Sequence, residues 1–175
     1  LGVIASYNKW YRDIQNVVLD AMQTLPYFCY LIPVLMFFGG NIVSAVIATV
    51  IYSVPPIIRL TALGLSQVSG SYSEVSKSFG GTGIQTLNKV KFPLAVPSLV
   101  MGFNQTVIMA FAMQIVTPLI GGKGLGLQVF NALQRSDTGR GLSAGLAIVL
   151  LAIIIDRITH AWTKKQRQAL GLDKS

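Results

Sequence analysis

The sequence predicts an all-α integral membrane protein, and three observations carry that reading. Of the 175 residues, 52% are hydrophobic and 11% charged, where an ordinary soluble domain is about 25% charged. The shortage is local. Arg59 is the only charge between Leu25 and Leu65, and none occurs between Phe92 and Gly122 or between Gly141 and Ile155. These runs approach the roughly 20 apolar residues that a helix needs to cross a bilayer core. Finally, the period-two alternation of a membrane barrel is absent, which leaves helices as the way to satisfy the backbone in lipid.

The elements follow in chain order. Residues 1–24 mix polar side chains (Asn8, Arg12, Asp13, Gln15) with Trp10, Ile14, Val17 and Leu19. That pattern reads as an amphipathic segment at an interface. Leu25–Gly39 is an apolar run with Pro26 near its start and Pro33 inside; it is either a tilted span or half of a broken one. Gly39-Gly40-Asn41 signals a turn. Ile42–Leu65 is a second span, with a kink or an end expected at Pro55-Pro56 because proline removes a helix hydrogen bond. Residues 70–91 form a polar stretch. Leu94–Leu119 is a third span. Residues 120–141 form a second loop, holding the glycine-rich run Gly121–Gly126, a short helix expected over Leu127–Leu133 and a turn at Ser136–Gly141. Leu142–Trp162 is the last span, and a basic tail covers 163–175. The chain opens at Leu1 without a signal-peptide pattern, so a preceding segment is expected.

Charge sets the orientation. Successive spans alternate direction, so the start, the 70–91 loop and the tail share one side. That side holds Lys9, Arg12, Arg59, Lys77, Lys89, Lys91, Arg157, Lys164, Lys165, Arg167 and Lys174; the other holds Lys123, Arg135 and Arg140. The positive-inside rule places the first set in the cytoplasm, and the 120–141 loop on the periplasmic or extracellular side. The same distribution argues against nucleic acid, because the net charge of +8 flanks the spans and forms no stripe. Cys29 is the single cysteine and reads as a buried, inert thiol in an apolar run.

The polar loop reads as two short helices. Ser73 is positioned to cap the first, with Glu74 in its first turn. Gly80-Gly81 breaks it by supplying a left-handed backbone. Thr82 caps a second helix that presents Ile84, Leu87 and Val90 on one face. Physics alone allows a plain solvated connector here.

The spacing from Glu74 to Pro93 resembles the EAA motif of ABC importer permeases. Glu74 matches the acid, Gly80 the glycine, Val90 the isoleucine, and Phe92-Pro93 the Leu-Pro pair; Val75 and Ser76 replace the two alanines. Further runs, Asp20–Pro26, Val54–Thr61, Asn104–Thr106, Gly121–Gly126 and Ile155–Thr159, make nearly the whole chain similar to permeases for glycine betaine, proline and related quaternary amines. The resemblance implies a MetI-like permease core of five spans, with at least four here and the first expected before Leu1. It implies a coupling loop in which Glu74, Ser76, Lys77, Gly80, Gly81 and Pro93 meet a cytoplasmic ABC ATPase. It also implies a second permease copy, a periplasmic or lipid-anchored solute-binding protein, and a place in the inner (cytoplasmic) membrane.

No Gly-x-x-x-x-Gly-Lys-Ser/Thr phosphate loop is present. ATP and magnesium are therefore expected on the partner, with no cofactor and no enzyme activity in this chain. Asn104, Gln105 and Gln114 are polar side chains inside a span, where such groups line a path or bond helix to helix. Quaternary amines favour aromatic faces, so Phe111, Phe103, Tyr27, Phe28 and Tyr30 are path candidates, with packing as the plainer reading. Asp156 and Arg157 are expected to pair or to reach for the membrane surface, and His160 lies near the end of the last span. The competing function is a non-ABC channel or secondary transporter for a small solute.

Overall fold

The computed structural model describes residues 1–169, and every regular element among them is helical. The tail is therefore described only to Ala169, and Lys174 lies outside the described residues. The order is α1 (Gly2–Tyr7), α2 (Lys9–Thr24), α3 (Phe28–Phe38), α4 (Ile42–Ser53), α5 (Pro55–Gln67), α6 (Gly70–Ser78), α7 (Gly83–Thr86), a π-turn (Leu87–Lys91), α8 (Phe92–Gln114), a 3-10 turn (Thr117–Ile120), α9 (Leu125–Gln134) and α10 (Thr138–Ala169).

Three stretches are long and apolar enough to cross a membrane: Ile42–Gln67, Gly83–Gln114 and Thr138–Lys165. A fourth span exists only if Trp10–Thr24 and Phe28–Phe38 count as one, and these are bent by 92°. The expected span at Leu25–Gly39 is thus the shorter half of a broken pair. The cause is Pro26, which cannot donate to a continuing helix and disfavours helical backbone at Leu25. At Pro55-Pro56 the interruption is smaller. Helix α4 ends at Ser53 and α5 restarts at Pro55, in the first-turn position where a missing N–H costs nothing.

The third span also departs from expectation. It was placed at Leu94–Leu119, after a loop ending at Lys91. Instead the second loop helix runs on through the π-turn into α8 as one 32-residue stretch. Pro93 does not break it. The Phe92 N–H donates to the Leu87 carbonyl, a wider turn than the α-helical one. That widening suits the site, because Pro93 has no N–H to return to the preceding turn. At the far end α8 stops at Gln114 and hands over to the 3-10 turn.

By contacts the described chain falls into two compact units. One holds Leu1–Leu19, Pro56–Phe103 and the residues from Thr159; the other holds Asp20–Pro55 and Asn104–Ile158. Within the first, helices approach through small residues. A Cβ on Gly64 would stand 2.5 Å from the Ser98 Cβ, and one on Gly102 would stand 3.1 Å from Leu60 and Ile57. Close backbone approach of this kind is how helices associate in lipid, where apolar surface gains little by leaving the solvent. The second unit has an apolar core of Leu31, Val34, Ala45, Ala48, Met113 and Ile120. Tyr30 packs against it edge-on to Tyr52, with ring centroids 5.7 Å apart, and its hydroxyl donates to the Met22 carbonyl. Met36, Phe37, Leu150 and Ile154 lie exposed, as side chains facing lipid do.

Candidate functional site

The 70–91 loop is built from a short helix, a tight reversal and a capped second helix. Helix α6 begins at Gly70, four residues earlier than the start at Glu74 that a Ser73 cap implies. Ser69 holds the cap position without a side-chain cap bond, and its hydroxyl lies 2.6 Å from that of Ser71. Ser73 is therefore inside the helix, not its cap, and Glu74 stands in the second turn. Its carboxylate gains less from the helix dipole there. Lys77, in the last turn, is well placed for that dipole.

The reversal after α6 is a Schellman motif. The Gly81 N–H donates to the Ser76 carbonyl at 2.9 Å, and the Gly80 N–H to the Lys77 carbonyl at 2.9 Å. Gly80 takes φ +75°, the left-handed backbone that glycine adopts without strain. Gly81 is needed for a different reason: a Cβ there would sit 2.7 Å from the Ser76 carbonyl.

Thr82 caps α7 through a full capping box. Its hydroxyl accepts from the Gln85 N–H, and the Gln85 side chain accepts from the Thr82 N–H at 2.8 Å. One side-chain bond then ties the two helices together. The Ser76 and Thr86 hydroxyls are 2.8 Å apart. Thr86 donates its proton to the Thr82 carbonyl at 3.1 Å, so Ser76 is the donor to Thr86. An alanine at position 76 could not make that bond.

The loop leaves its chemistry outward. Glu74, Lys77 and Gly80 are exposed; Ser76, Gly81 and Pro93 are half-buried. An open groove of about 440 Å³ lies among Tyr72, Val75, Ser76, Phe79, Gln85 and Lys89. Phe79, at the tip, is 88% exposed and Ile84 is 73% exposed. Phe79 was not singled out from the sequence. The available signal was an aromatic residue directly before the reversal glycine, inside a polar stretch.

The polar span residues divide. Asn104 is buried, and its Nδ2 donates to the Asp156 Oδ1 at 3.0 Å, joining α8 to α10. Asp156, expected to pair with Arg157 or to reach for the membrane surface, accepts this bond. Gln105 is exposed and stands apart from the concavities described here. Phe111 and Gln114 do come together, in a second groove of about 440 Å³ that also holds Thr49, Thr117 and Lys123. Tyr27 and Phe28 contact each other, with centroids 5.1 Å apart, and Phe103 is exposed. No cluster of three or more His, Cys, Asp or Glu able to hold a metal occurs among the described residues.

Comparison with known proteins places these features in context. The family described as "Binding-protein-dependent transport system inner membrane component" matches residues 1–168. The glycine betaine/carnitine transport permease protein GbuB of Listeria monocytogenes is 44% identical over 167 residues, 95% of this chain and 59% of its own length. The glycine betaine/proline betaine transport system permease protein ProW of Escherichia coli is 45% identical over 95% of this chain and 47% of its own. The chain thus spans about half the length of these relatives. Among solved structures, a chain of the inward-facing MetNI methionine ABC transporter superposes with a TM-score of 0.73 at 21% identity, covering 87% of this chain and 76% of that one. The superposition speaks for a shared fold.

Proposed function

The chain belongs to the family of binding-protein-dependent transport system inner membrane components, and from that premise we propose that it is permease machinery of an ATP-driven importer for a quaternary amine such as glycine betaine or proline betaine. The solute class comes from the relatives' names. The importer resides in the cytoplasmic (inner) membrane. A solute-binding protein delivers the cargo, a second permease copy completes the pathway, and cytoplasmic ATPase subunits hydrolyse ATP.

The observation that carries this reading is the 70–93 loop. It pairs exposed apolar side chains, Phe79 and Ile84, with exposed charges, Glu74 and Lys77. Its own internal bonds hold it in shape: a Schellman reversal, a capping box and the Ser76–Thr86 pair. A surface fixed in advance binds without paying the entropy of ordering. Its second helix continues into a span, so a partner that moves Ile84 pushes on α8. Alternating access then requires only that the ATPase bind the loop differently with and without nucleotide.

The test is uptake together with co-purification. Cells producing the intact permease with its ATPase and binding protein should accumulate labelled glycine betaine, and an ATPase variant unable to hydrolyse ATP should abolish it. Glu74→Lys should reduce co-purification of the ATPase while leaving the amount of permease in the membrane unchanged. Uptake that persists without any ATPase would overturn the importer reading.

A further inference from the structure

The groove in the second unit gathers two path candidates, Phe111 and Gln114, with Lys123, to which the sequence assigned no role. It is lined by Thr49, Phe111, Gln114, Thr117 and Lys123 among aliphatic residues. Its volume of about 440 Å³ lies within the range of small-ligand sites, roughly 300–1,000 Å³. The glycine-rich run beside it is seated with little freedom. A Cβ on Gly121 would stand 2.7 Å from the Asn41 N, one on Gly122 would stand 2.6 Å from the Thr117 Oγ1, and one on Gly126 would stand 1.9 Å from the Gln114 carbonyl oxygen. Between Gly121 and Gly124, Lys123 alone carries a side chain.

The Gln114 amide is beside the same run: its Nε2 lies 3.6 Å from where a Gly124 Cβ would be. Neither the Lys123 ammonium nor the Gln114 amide has a hydrogen-bond or ion-pair partner among the described residues. Phe111, on the same groove, is half-buried. One cation, one amide and one aromatic ring therefore share a concavity whose remaining lining is aliphatic apart from Thr49 and Thr117, and both of those hydroxyls already donate to carbonyls of nearby residues, Ala45 and Gln114. The cation excludes a plain cationic solute as the best match. The set fits a molecule that carries both a carboxylate and a quaternary ammonium.

We propose that this groove is a receiving subsite for a small zwitterion, with Lys123 and Gln114 taking the carboxylate and the Phe111 ring facing the quaternary ammonium; the choice of zwitterion rests on the proposed importer function. An ammonium–carboxylate contact is a charge-assisted hydrogen bond, and a quaternary ammonium over a ring is held by the ring's quadrupole. With a single ring and a single lysine, the subsite holds its solute loosely enough to pass it on. By the charge distribution of the loops, Lys123 lies on the side from which an import cargo arrives.

The test uses saturation-transfer NMR on the intact permease–ATPase complex in lipid nanodiscs, with glycine betaine and tetramethylammonium as separate probes. Both should bind saturably to the wild type. Lys123→Met should weaken glycine betaine about tenfold and leave tetramethylammonium unchanged or tighter, while Lys123→Arg keeps glycine betaine binding. Phe111→Leu should weaken both probes about fivefold, and Phe111→Trp should retain both. The proposal is overturned if Lys123→Met weakens the two probes equally, or if Phe111→Leu changes neither. It is also overturned if the wild-type complex binds no glycine betaine although cells carrying it import that solute. A wild type that imports no glycine betaine, yet binds it with the pattern above, sinks the importer reading and leaves the subsite standing.

Discussion

The same Schellman reversal closes a helix in both loops, and it serves opposite ends. After α6, Gly80 sits at φ +75° with nothing within 4 Å of where a side chain would start. After the Thr117–Ile120 turn, Gly121 sits at φ +94°, its N–H donates to the Pro118 carbonyl, and the next N–H donates to Thr117. Here, however, a side chain would collide with the backbone of Asn41. The hydrogen-bond pattern is shared, yet one glycine answers only to its own backbone while the other answers to a neighbouring turn as well. A reversal that nothing covers is free to meet something else. A reversal pinned on both sides holds the residues next to it still.

Substitutions can break this contrast in graded steps. Gly126→Ala should cost most, roughly 4 kcal/mol or more, because the new methyl lies 1.9 Å from a main-chain oxygen. Greatly reduced recovery of folded protein from membranes and a lowered thermal midpoint would register it. Gly121→Ala should follow at about 3 kcal/mol, combining left-handed strain with a backbone clash, read by the same midpoint. Gly80→Ala carries the strain alone, about 1–2 kcal/mol, and should leave the midpoint of the second unit untouched while loosening amide protection in α6. Equal effects at 80 and 121 would erase the contrast. Thr82→Ala, which removes one cap, should cost about 1 kcal/mol and raise hydrogen exchange only at Gln85 and its neighbours.

Local rules made part of this legible. Gly80 as a left-handed stop and Thr82 as a cap follow from residue type and spacing, and both are in place. The short helix of the second loop was expected over Leu127–Leu133 and covers Leu125–Gln134. What failed depended on choices between adjacent residues or on distant ones. Ser73 was expected to start α6, and the helix instead starts one turn earlier, after Ser69, without a side-chain cap bond. The third span was expected to start at Leu94, after the loop, but a π-turn carries the second loop helix through Pro93 into α8 without a break. The pairing of Asn104 with Asp156 spans 52 residues, and no local pattern announces a contact at that separation. Lys123 looked like a loop charge until the glycines around it were seen against Asn41, Thr117 and Gln114.

That long-range pair has a consequence for how the protein is made. The last span carries a carboxylate, Asp156, that hydrocarbon tolerates poorly; at a helix centre such a charge costs about 2.5–3.5 kcal/mol on insertion scales. Because chains are synthesised from the N-terminus, the helix bearing Asn104 leaves the ribosome first. When the Asp156 segment reaches the membrane, a buried amide is already there to receive it. The two helices are thereby ordered in time as well as in space, with the Asn104 amide in the membrane before the Asp156 carboxylate arrives.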